Sequence, residues 1–271
     1  MEEWFDAGEH RMILAVGFGA DNMESYERTI GAVEKDVARA FPAWKVRLAF
    51  SNRTVLERLK AHCKVEADCL EEALRKAAAE GITELAVQPV YLVKGTEYEK
   101  LAAVLGQYRD RFAKVALGEP LLSGTEDFEA VARAVTGKMS VFDKGETAIC
   151  FMGHGTQGEA NCAYSMLQEK LRKAGYGNYY IGVMEGEPGL GRILDVMGKK
   201  GIYRKAVLAP LMLSAGKHAR REMAGGQEGS WRLALHNAGY EVECVLKGLG
   251  EIPAVREIYV KHVRKAVLHR V

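Results

Sequence analysis

The stretch AICFMGHGT, residues 148–156, is an apolar run of strand length that ends in glycine and polar residues. A related stretch, MILAVGFGA, occupies residues 12–20, so the chain carries two versions of one element. Such a run is typical of a strand in a parallel sheet, and ligands bind at the carboxyl edge of such sheets. The two stretches therefore predict an α/β fold with its functional residues at strand ends.

The repeat extends further along the chain. AVQPVYLVKGTE (86–97) recurs as AVLAPLMLSAGKH (206–218), and VALGEPL (115–121) resembles LKGLGEIP (246–253). Three elements repeated in the same order indicate internal duplication. We therefore predict two similar lobes, each a mostly parallel sheet flanked by helices, with the active site in the cleft between them. The N-terminal lobe is predicted to span residues 1–140 and the C-terminal lobe 141–271.

Apolar and amphipathic segments alternate along both halves, which places strands and helices at definite positions. The predicted strands are 12–17, 45–50, 84–92, 113–117, 147–152, 178–183, 204–212 and 241–246. The predicted helices are 22–40, 52–60, 67–80, 96–110, 125–138, 157–174, 188–200, 217–224, 228–238 and 252–269. The lobes join near 138–147, where glycines and mixed charge interrupt the apolar pattern.

Composition narrows the class of protein. The chain has 271 residues, of which 48% are hydrophobic and 27% charged, and this length can bury two cores. A net charge of +2 without a basic block argues against a nucleic-acid surface. The odd number of cysteines, none in a CxxC pair, predicts reduced thiols and a cytoplasmic location. We see no membrane span or signal segment, and the sequence leaves a homo-oligomer open.

Two histidines follow strands of the second half. His154 comes directly after one predicted strand and His218 follows another, so both imidazoles are expected at one sheet edge. Neighbouring imidazoles can hold one borderline cation, such as cobalt, nickel, iron or zinc. For His154 alone, a turn histidine bonded to its own loop is the alternative. The remaining histidines have helical or terminal settings and are interpreted as surface or structural residues: His10, His62, His236, His262 and His269.

Two carboxylates, like the two histidines, lie beyond predicted strands. Glu97 stands in the first half where His218 stands in the second, and Glu185 follows the strand-like run YIGVM (180–184). Either could bind a metal or accept protons. The alternative for each is an acid in the first turn of a helix, where the helix dipole favours negative charge.

Four motifs resemble one known family, and the resemblance covers nearly the whole chain. FMGHG (151–155), GVME (182–185), PLMLSAGKH (210–218) and GTEYEK (95–100) resemble the anaerobic sirohydrochlorin cobaltochelatases of cobalamin synthesis, in the class II chelatase superfamily. The resemblance implies two α/β lobes around a cleft. It also implies insertion of a divalent metal into a tetrapyrrole, without a nucleotide or a permanent organic cofactor.

The resemblance also implies roles for individual residues. His154, His218 and Glu185 would bind the incoming Co²⁺, and Glu97 would lie opposite them to remove protons or hand over the metal. His154, His218 and Glu97 are thus the expected catalytic residues. Fe²⁺, Ni²⁺ or Zn²⁺ would be alternative metals in vitro. The substrate carboxylates should meet cations that flank the site: Lys94, Lys217, Arg220 and Arg221.

Three other functions are alternatives to this one. A ferrochelatase making siroheme from the same substrate is the nearest, because imidazole and carboxylate ligands do not separate Fe²⁺ from Co²⁺. A protein that only binds a metal or a tetrapyrrole is the second, and precorrin-2 is an alternative substrate. A dinucleotide enzyme is disfavoured, because Gly17-Phe-Gly19 lacks the third glycine of that fingerprint.

Overall fold

The structure, a computed structural model, describes residues 10–20, 22–62, 65, 67–156 and 159–268. Its strands are β1 (Arg11–Gly17), β2 (Lys45–Phe50), β3 (Asp68–Cys69), β4 (Glu84–Pro89), β5 (Lys114–Leu117), β6 (Thr147–Gly155), β7 (Tyr179–Glu185), β8 (Lys205–Pro210) and β9 (Glu241–Cys244). Its α-helices are α1 (Met23–Arg28), α2 (Ile30–Ala40), α3 (Arg53–His62), α4 (Leu70–Ala79), α5 (Thr96–Tyr108), α6 (Thr125–Met139), α7 (Cys162–Lys173), α8 (Leu190–Lys200), α9 (Trp231–Asn237) and α10 (Pro253–Leu268).

The chain forms two compact units. One takes in the described residues of Met1–Leu121 and Arg256–Val271, and the other is Leu122–Val255. These units differ in their bounds from the predicted lobes, residues 1–140 and 141–271. Helix α6 packs within the second unit, where Lys170 pairs with Glu129 at 2.8 Å, and most of α10 belongs to the first.

Helix α10 is fixed to the first unit by polar contacts as well as by burial. Arg256 pairs with Asp36 of α2 at 2.6 Å, and both side chains are largely buried. The buried Tyr259 hydroxyl donates to the backbone carbonyl of Tyr91 at 2.9 Å. These partners are distant in sequence, which is why the sequence pattern placed the C-terminal helix with the second half.

The first unit is built on a five-stranded parallel sheet in the order β3-β2-β1-β4-β5. Strand β1 is central and is buried along almost its whole length, as expected for a parallel strand covered on both faces. Its residues Met12, Leu14 and Val16 share a core with α4 and α5. The apolar positions of α4 recur every three or four residues, which gives that helix one buried face.

The second unit repeats this plan with four parallel strands in the order β7-β6-β8-β9. Strand β6 contributes Ala148, Cys150 and Met152 to a core shared with α8 and α9. The edge strand β7 is paired along its outer side by Gln168, which donates to Tyr179 O at 2.8 Å and accepts from Ile181 N at 2.7 Å.

The strand register matches between the units. In the first unit β1 lies between β2 and β4, and Val16 pairs with Pro89. In the second unit β6 lies between β7 and β8, and Met152 pairs with Pro210. Residues equated by the sequence repeat thus occupy equivalent places in the two sheets, which confirms the predicted duplication.

The predicted segments differ from the structure in a few places. The predicted helix 22–40 is divided at Thr29, whose φ of −121° and ψ of −91° lie outside the helical region. The two-residue strand β3 had no sequence signal. The predicted helix 217–224 is a π-helical turn, Ala219–Met223. Gln157 and Gly158, where the sequence places the start of a helix, lie outside the described residues.

Candidate functional site

His154 lies near the carboxyl end of β6, between Gly153 and Gly155, and neither of these positions has room for a side chain. A side chain on Gly153 would collide with the ring of Tyr164. Gly155 has φ of +84°, and a Cβ there would collide with the backbone carbonyl of Glu185 on β7. Helix α7 and strand β7 thus pack closely against the backbone on the two sides of His154.

His218 lies beyond the neighbouring strand, β8. The segment after β8 stays bonded to the sheet, because Leu211 N donates to Met152 O at 2.8 Å. His218 then begins the π-helical turn Ala219–Met223, which is anchored by the buried Ala219 and Met223. Its own side chain is 46% exposed, so the imidazole is open to solvent.

The two imidazoles lie close together in an edge-to-face arrangement. Their ring centroids are 4.9 Å apart and the ring planes are perpendicular. His154 Nδ1 lies 3.1 Å from Gly155 O, and His218 Nδ1 lies 3.4 Å from Glu222 Oε2. A metal-binding histidine usually gives its second ring N–H to a carbonyl or carboxylate in this way, which leaves Nε2 for the ion. The arrangement is therefore suited to a divalent cation.

Glu185 lies at the end of β7, beside Gly155 of β6. Its side chain is exposed, and its backbone is connected to the end of β6 through hydrogen bonds of Asn161. Asn161 Oδ1 accepts from Thr156 N at 2.8 Å, and its Nδ2 donates to Glu185 O at 3.1 Å. One amide thus holds together the strand ends that carry His154 and Glu185.

A third metal ligand is not in place beside the histidines. Across the described part of the chain, no three His, Cys, Asp or Glu side chains are grouped closely enough to hold a metal ion. Metal binding by Glu185 therefore needs a movement of its exposed side chain, and its role stays a prediction.

Asn161→Ala should weaken Co²⁺ binding about tenfold, because groups that orient metal ligands typically contribute on this scale. It should also lower the free energy of unfolding by about 1 kcal/mol through the lost hydrogen bonds. Isothermal titration with Co²⁺ and denaturant unfolding measure the two effects. Cys162→Ser, at the exposed neighbouring position, is the control and should change neither. Unchanged Co²⁺ affinity in Asn161→Ala would mean that Asn161 serves the fold alone.

Glu97 belongs to the first unit, in the first turn of α5 at the carboxyl edge of the sheet. The Ser51 hydroxyl donates to Glu97 Oε2 at 3.4 Å, and Lys100 Nζ lies 2.9 Å from Oε1. Tyr91 lies near this carboxylate, and burial raises the pKa of its hydroxyl. Glu97 is half-buried and keeps access to solvent, as a group that exchanges protons requires.

The four predicted substrate-binding cations have different settings. Lys94 Nζ lies 2.6 Å from Glu119 Oε2, and the hydrogen bond to this carboxylate raises the pKa of the Lys94 ammonium. Lys217, Arg220 and Arg221 are exposed. They make no ion pair with any described residue, so their charges are available to an anion.

The remaining histidines are structural or exposed where the structure describes them. His262 is buried with Nδ1 3.0 Å from Glu119 O, whereas His10 and His236 are exposed. This confirms the interpretation of those three residues. The side chain of His62 and the whole of His269 lie outside the described residues.

Sequence reasoning missed Asn161, Tyr164 and Glu222. Only Glu222 had a local signal, because it follows His218 by four residues, a spacing that brings side chains together on a helix. The contacts of Asn161 and Tyr164 depend on the packing of α7 against β6 and β7.

Two general findings accompany the site. The described cysteines, Cys69, Cys150, Cys162 and Cys244, are all free thiols. Among the described residues, no helix has the length and apolar character needed to cross a membrane.

Known proteins match this chain along nearly its whole length. A family profile described as "Cobalt chelatase (CbiK)" matches residues 11–268. A sirohydrochlorin cobaltochelatase of Salmonella typhimurium LT2 is 31% identical over 257 residues, covering 95% of this chain and 96% of the relative. Sirohydrochlorin cobaltochelatase CbiKC of Nitratidesulfovibrio vulgaris Hildenborough is 33% identical over 260 residues, covering 94% and 90%.

A solved structure also shares the fold. SirB from Bacillus subtilis with Fe³⁺ superimposes with a TM-score of 0.66 at 16% identity, covering 94% of this chain and 95% of that one. At this identity the likeness concerns the fold alone. The family match over nearly the whole chain and the two relatives show that the chain belongs to the cobalt chelatase family.

Proposed function

We propose that this protein inserts Co²⁺ into sirohydrochlorin, with release of two protons, in the anaerobic cobalamin pathway. The family and the activities named for both relatives support this reaction. The observation that carries the proposal is the pair of perpendicular imidazoles, with centroids 4.9 Å apart, at the ends of neighbouring strand segments. The metal and the tetrapyrrole are both substrates.

The incoming Co²⁺ binds to Nε2 of His154 and His218, and Glu185 turns its exposed side chain toward the ion. Imidazole nitrogen suits Co²⁺, and carboxylate oxygen completes the donor set. The bond of His154 Nδ1 with Gly155 O and the approach of Glu222 to His218 orient the rings. Two fixed ligands and one mobile one hold the ion loosely enough for the macrocycle to take it.

Glu97 receives the protons that leave the macrocycle. A free tetrapyrrole loses two inner N–H protons as the metal enters, so the reaction needs an acceptor. The Ser51 hydroxyl lies 3.4 Å from Oε2 of Glu97 and Lys100 Nζ lies 2.9 Å from Oε1, so both oxygens of the carboxylate are held in position. Because the carboxylate is only half-buried, water can reach it, remove each proton and restore the acceptor.

The carboxylates of the substrate bind to exposed cations of the second unit. We expect Arg220→Ala and Arg221→Ala each to raise KM for sirohydrochlorin about three- to tenfold, with kcat nearly unchanged, because a rim contact stabilises substrate and transition state alike. Steady-state kinetics at fixed Co²⁺ measure this effect. Lys199→Ala, an exposed cation at the end of α8, is the control. Wild-type KM in both arginine variants would contradict this assignment.

Lys94 has a different setting from these arginines. Its ammonium already pairs with Glu119 at 2.6 Å, so contact with a substrate carboxylate requires that pair to be shared or broken. Loss of Lys94 should therefore raise KM for sirohydrochlorin less than loss of Lys217, which lies beside His218.

The test of the proposed function is anaerobic metallation of sirohydrochlorin by the wild-type protein, with Co²⁺ and Fe²⁺ in parallel. Absorbance follows metal insertion, and a reaction without protein gives the background. We expect faster insertion of Co²⁺ than of Fe²⁺. Preference for Fe²⁺ would indicate a ferrochelatase, and binding of metal or tetrapyrrole without insertion would indicate a binding protein. The same assay with precorrin-2 decides between the two macrocycles.

The proposal also covers cofactors, location and partners. Insertion proceeds without a permanent organic cofactor, and Ni²⁺ or Zn²⁺ replaces Co²⁺ in vitro because their preferred ligands overlap. The protein acts in the cytoplasm, as its cysteines predict. It needs no nucleic acid or membrane for activity, and a homo-oligomer is compatible with this scheme.

A further inference from the structure

Phe18 occupies in the first unit the place that His154 occupies in the second. Phe18 directly follows β1, and His154 is the last residue but one of β6; each of these strands lies between two neighbours in its sheet. The pairing of Val16 with Pro89 corresponds to that of Met152 with Pro210, and the chain reaches Phe18 or His154 two residues later. The duplication has therefore placed a phenyl ring where the other copy has an imidazole.

The backbone around Phe18 is fixed, but its ring is not buried. A Cβ on Gly17 would lie 2.9 Å from Ile30 Cδ1, and a Cβ on Gly19, which has φ of +147°, would collide with the side chain of Val55. Phe18 nevertheless remains 45% exposed. A large aromatic side chain held on a fixed backbone and left open to solvent forgoes the stabilisation that burial would give. Exposure alone assigns no role, since single apolar side chains are common on protein surfaces; what distinguishes Phe18 is its place at the strand end equivalent to that of His154.

The ring shares its sheet edge with the proposed proton acceptor. Gly17 O, directly before Phe18, accepts from Ser51 N at 2.9 Å. The Ser51 hydroxyl in turn lies 3.4 Å from Glu97 Oε2. Ser51 thus connects the backbone next to Phe18 with the carboxylate of Glu97, the proposed proton acceptor, within the first unit.

We propose that Phe18 stacks on the flat face of the tetrapyrrole and positions the macrocycle during metal insertion. The inference rests on the proposed function, because it requires a tetrapyrrole substrate. A conjugated macrocycle presents a broad apolar face, and offset stacking on a phenyl ring is favourable. A phenyl ring has no lone pair for a metal, so Phe18 acts on the organic substrate and leaves Co²⁺ binding unchanged.

The test measures binding of metal-free sirohydrochlorin under anaerobic conditions by absorbance titration. Phe18→Ala should raise its Kd about tenfold, as for removal of one stacking side chain, and Phe18→Tyr should stay within about twofold of wild type. In turnover assays the alanine variant should raise KM more than it lowers kcat. Its Co²⁺ affinity should match that of the wild type. Ile202→Ala removes an exposed apolar side chain elsewhere and should change nothing.

The outcomes separate this inference from the proposed function. Equal Kd values for the wild type and Phe18→Ala would overturn stacking alone, as would a loss that sedimentation traces to dissociation of an oligomer. A wild type that binds no metal-free tetrapyrrole would overturn both proposals. Should Phe18→Ala fold poorly, Phe18→Leu keeps the apolar bulk without the aromatic face, and it should bind less tightly than Phe18→Tyr.

Discussion

His154→Ala should reduce cobalt insertion at least about a hundredfold, the scale on which loss of a positioned catalytic group is measured. The imidazole of His154 is one of two that face each other with centroids 4.9 Å apart, and its Nδ1 already interacts with Gly155 O. Removing it leaves His218 as the single fixed ligand. A single imidazole in water does not concentrate Co²⁺ at the macrocycle.

Anaerobic absorbance assays with His154→Ala, His218→Ala and the double variant measure this loss. Because the two rings act on one ion, the double variant should be about as slow as either single variant. His236→Ala is the matched control, since that histidine is exposed at the end of α9. Turnover that survives in the double variant would leave the family assignment intact and disprove the paired-histidine mechanism.

Gly155→Ala should have the second largest effect, and it should act on stability and activity together. Its Cβ would collide with the backbone carbonyl of Glu185, and φ of +84° is costly for any residue with a side chain. Strain of this kind typically costs about 1–3 kcal/mol before the collision is counted. The strand ends that carry His154 and Glu185 must separate to make room, so both stability and Co²⁺ binding should fall. Denaturant unfolding measures the first loss and Co²⁺ titration the second.

Gly198→Ala provides the matched control. Gly198 is exposed in α8 of the same unit, and a Cβ there would meet no atom within 4 Å. Alanine in a helix interior is more favourable than glycine by about 0.5–1 kcal/mol, so this variant should gain stability and keep full activity. Equal stability of Gly155→Ala and the wild type would mean that the strand ends can shift without cost.

Periodicity and internal repetition predicted most of the fold. Each long apolar run, such as 12–17 or 147–152, became a buried parallel strand because such strands are covered on both faces. The features that the sequence did not predict depend on distant contacts. Helix α10 packs on the first unit through Asp36 and the carbonyl of Tyr91, neither of which the local pattern of α10 can indicate.

The candidate site was predictable to the level of strand ends. Parallel strands bring their carboxyl ends to one edge, so His154 and His218 could be placed together from the repeat. What the sequence could not supply was the set of groups that orient them. Asn161 joins two strand ends by its amide, and the pairing of Lys94 with Glu119 is a detail of loop packing.

The open donor set beside the paired histidines has a consequence for the living cell. With two imidazoles and no third ligand in place among the described residues, the proposed site would rank ions by the ordinary stability series, in which Cu²⁺ binds nitrogen more tightly than Co²⁺. At equal free concentration, copper would then outcompete cobalt for the pair. Correct metallation then depends on the cell keeping its free copper far scarcer than its free cobalt, so fidelity is shared between this protein and cellular metal homeostasis.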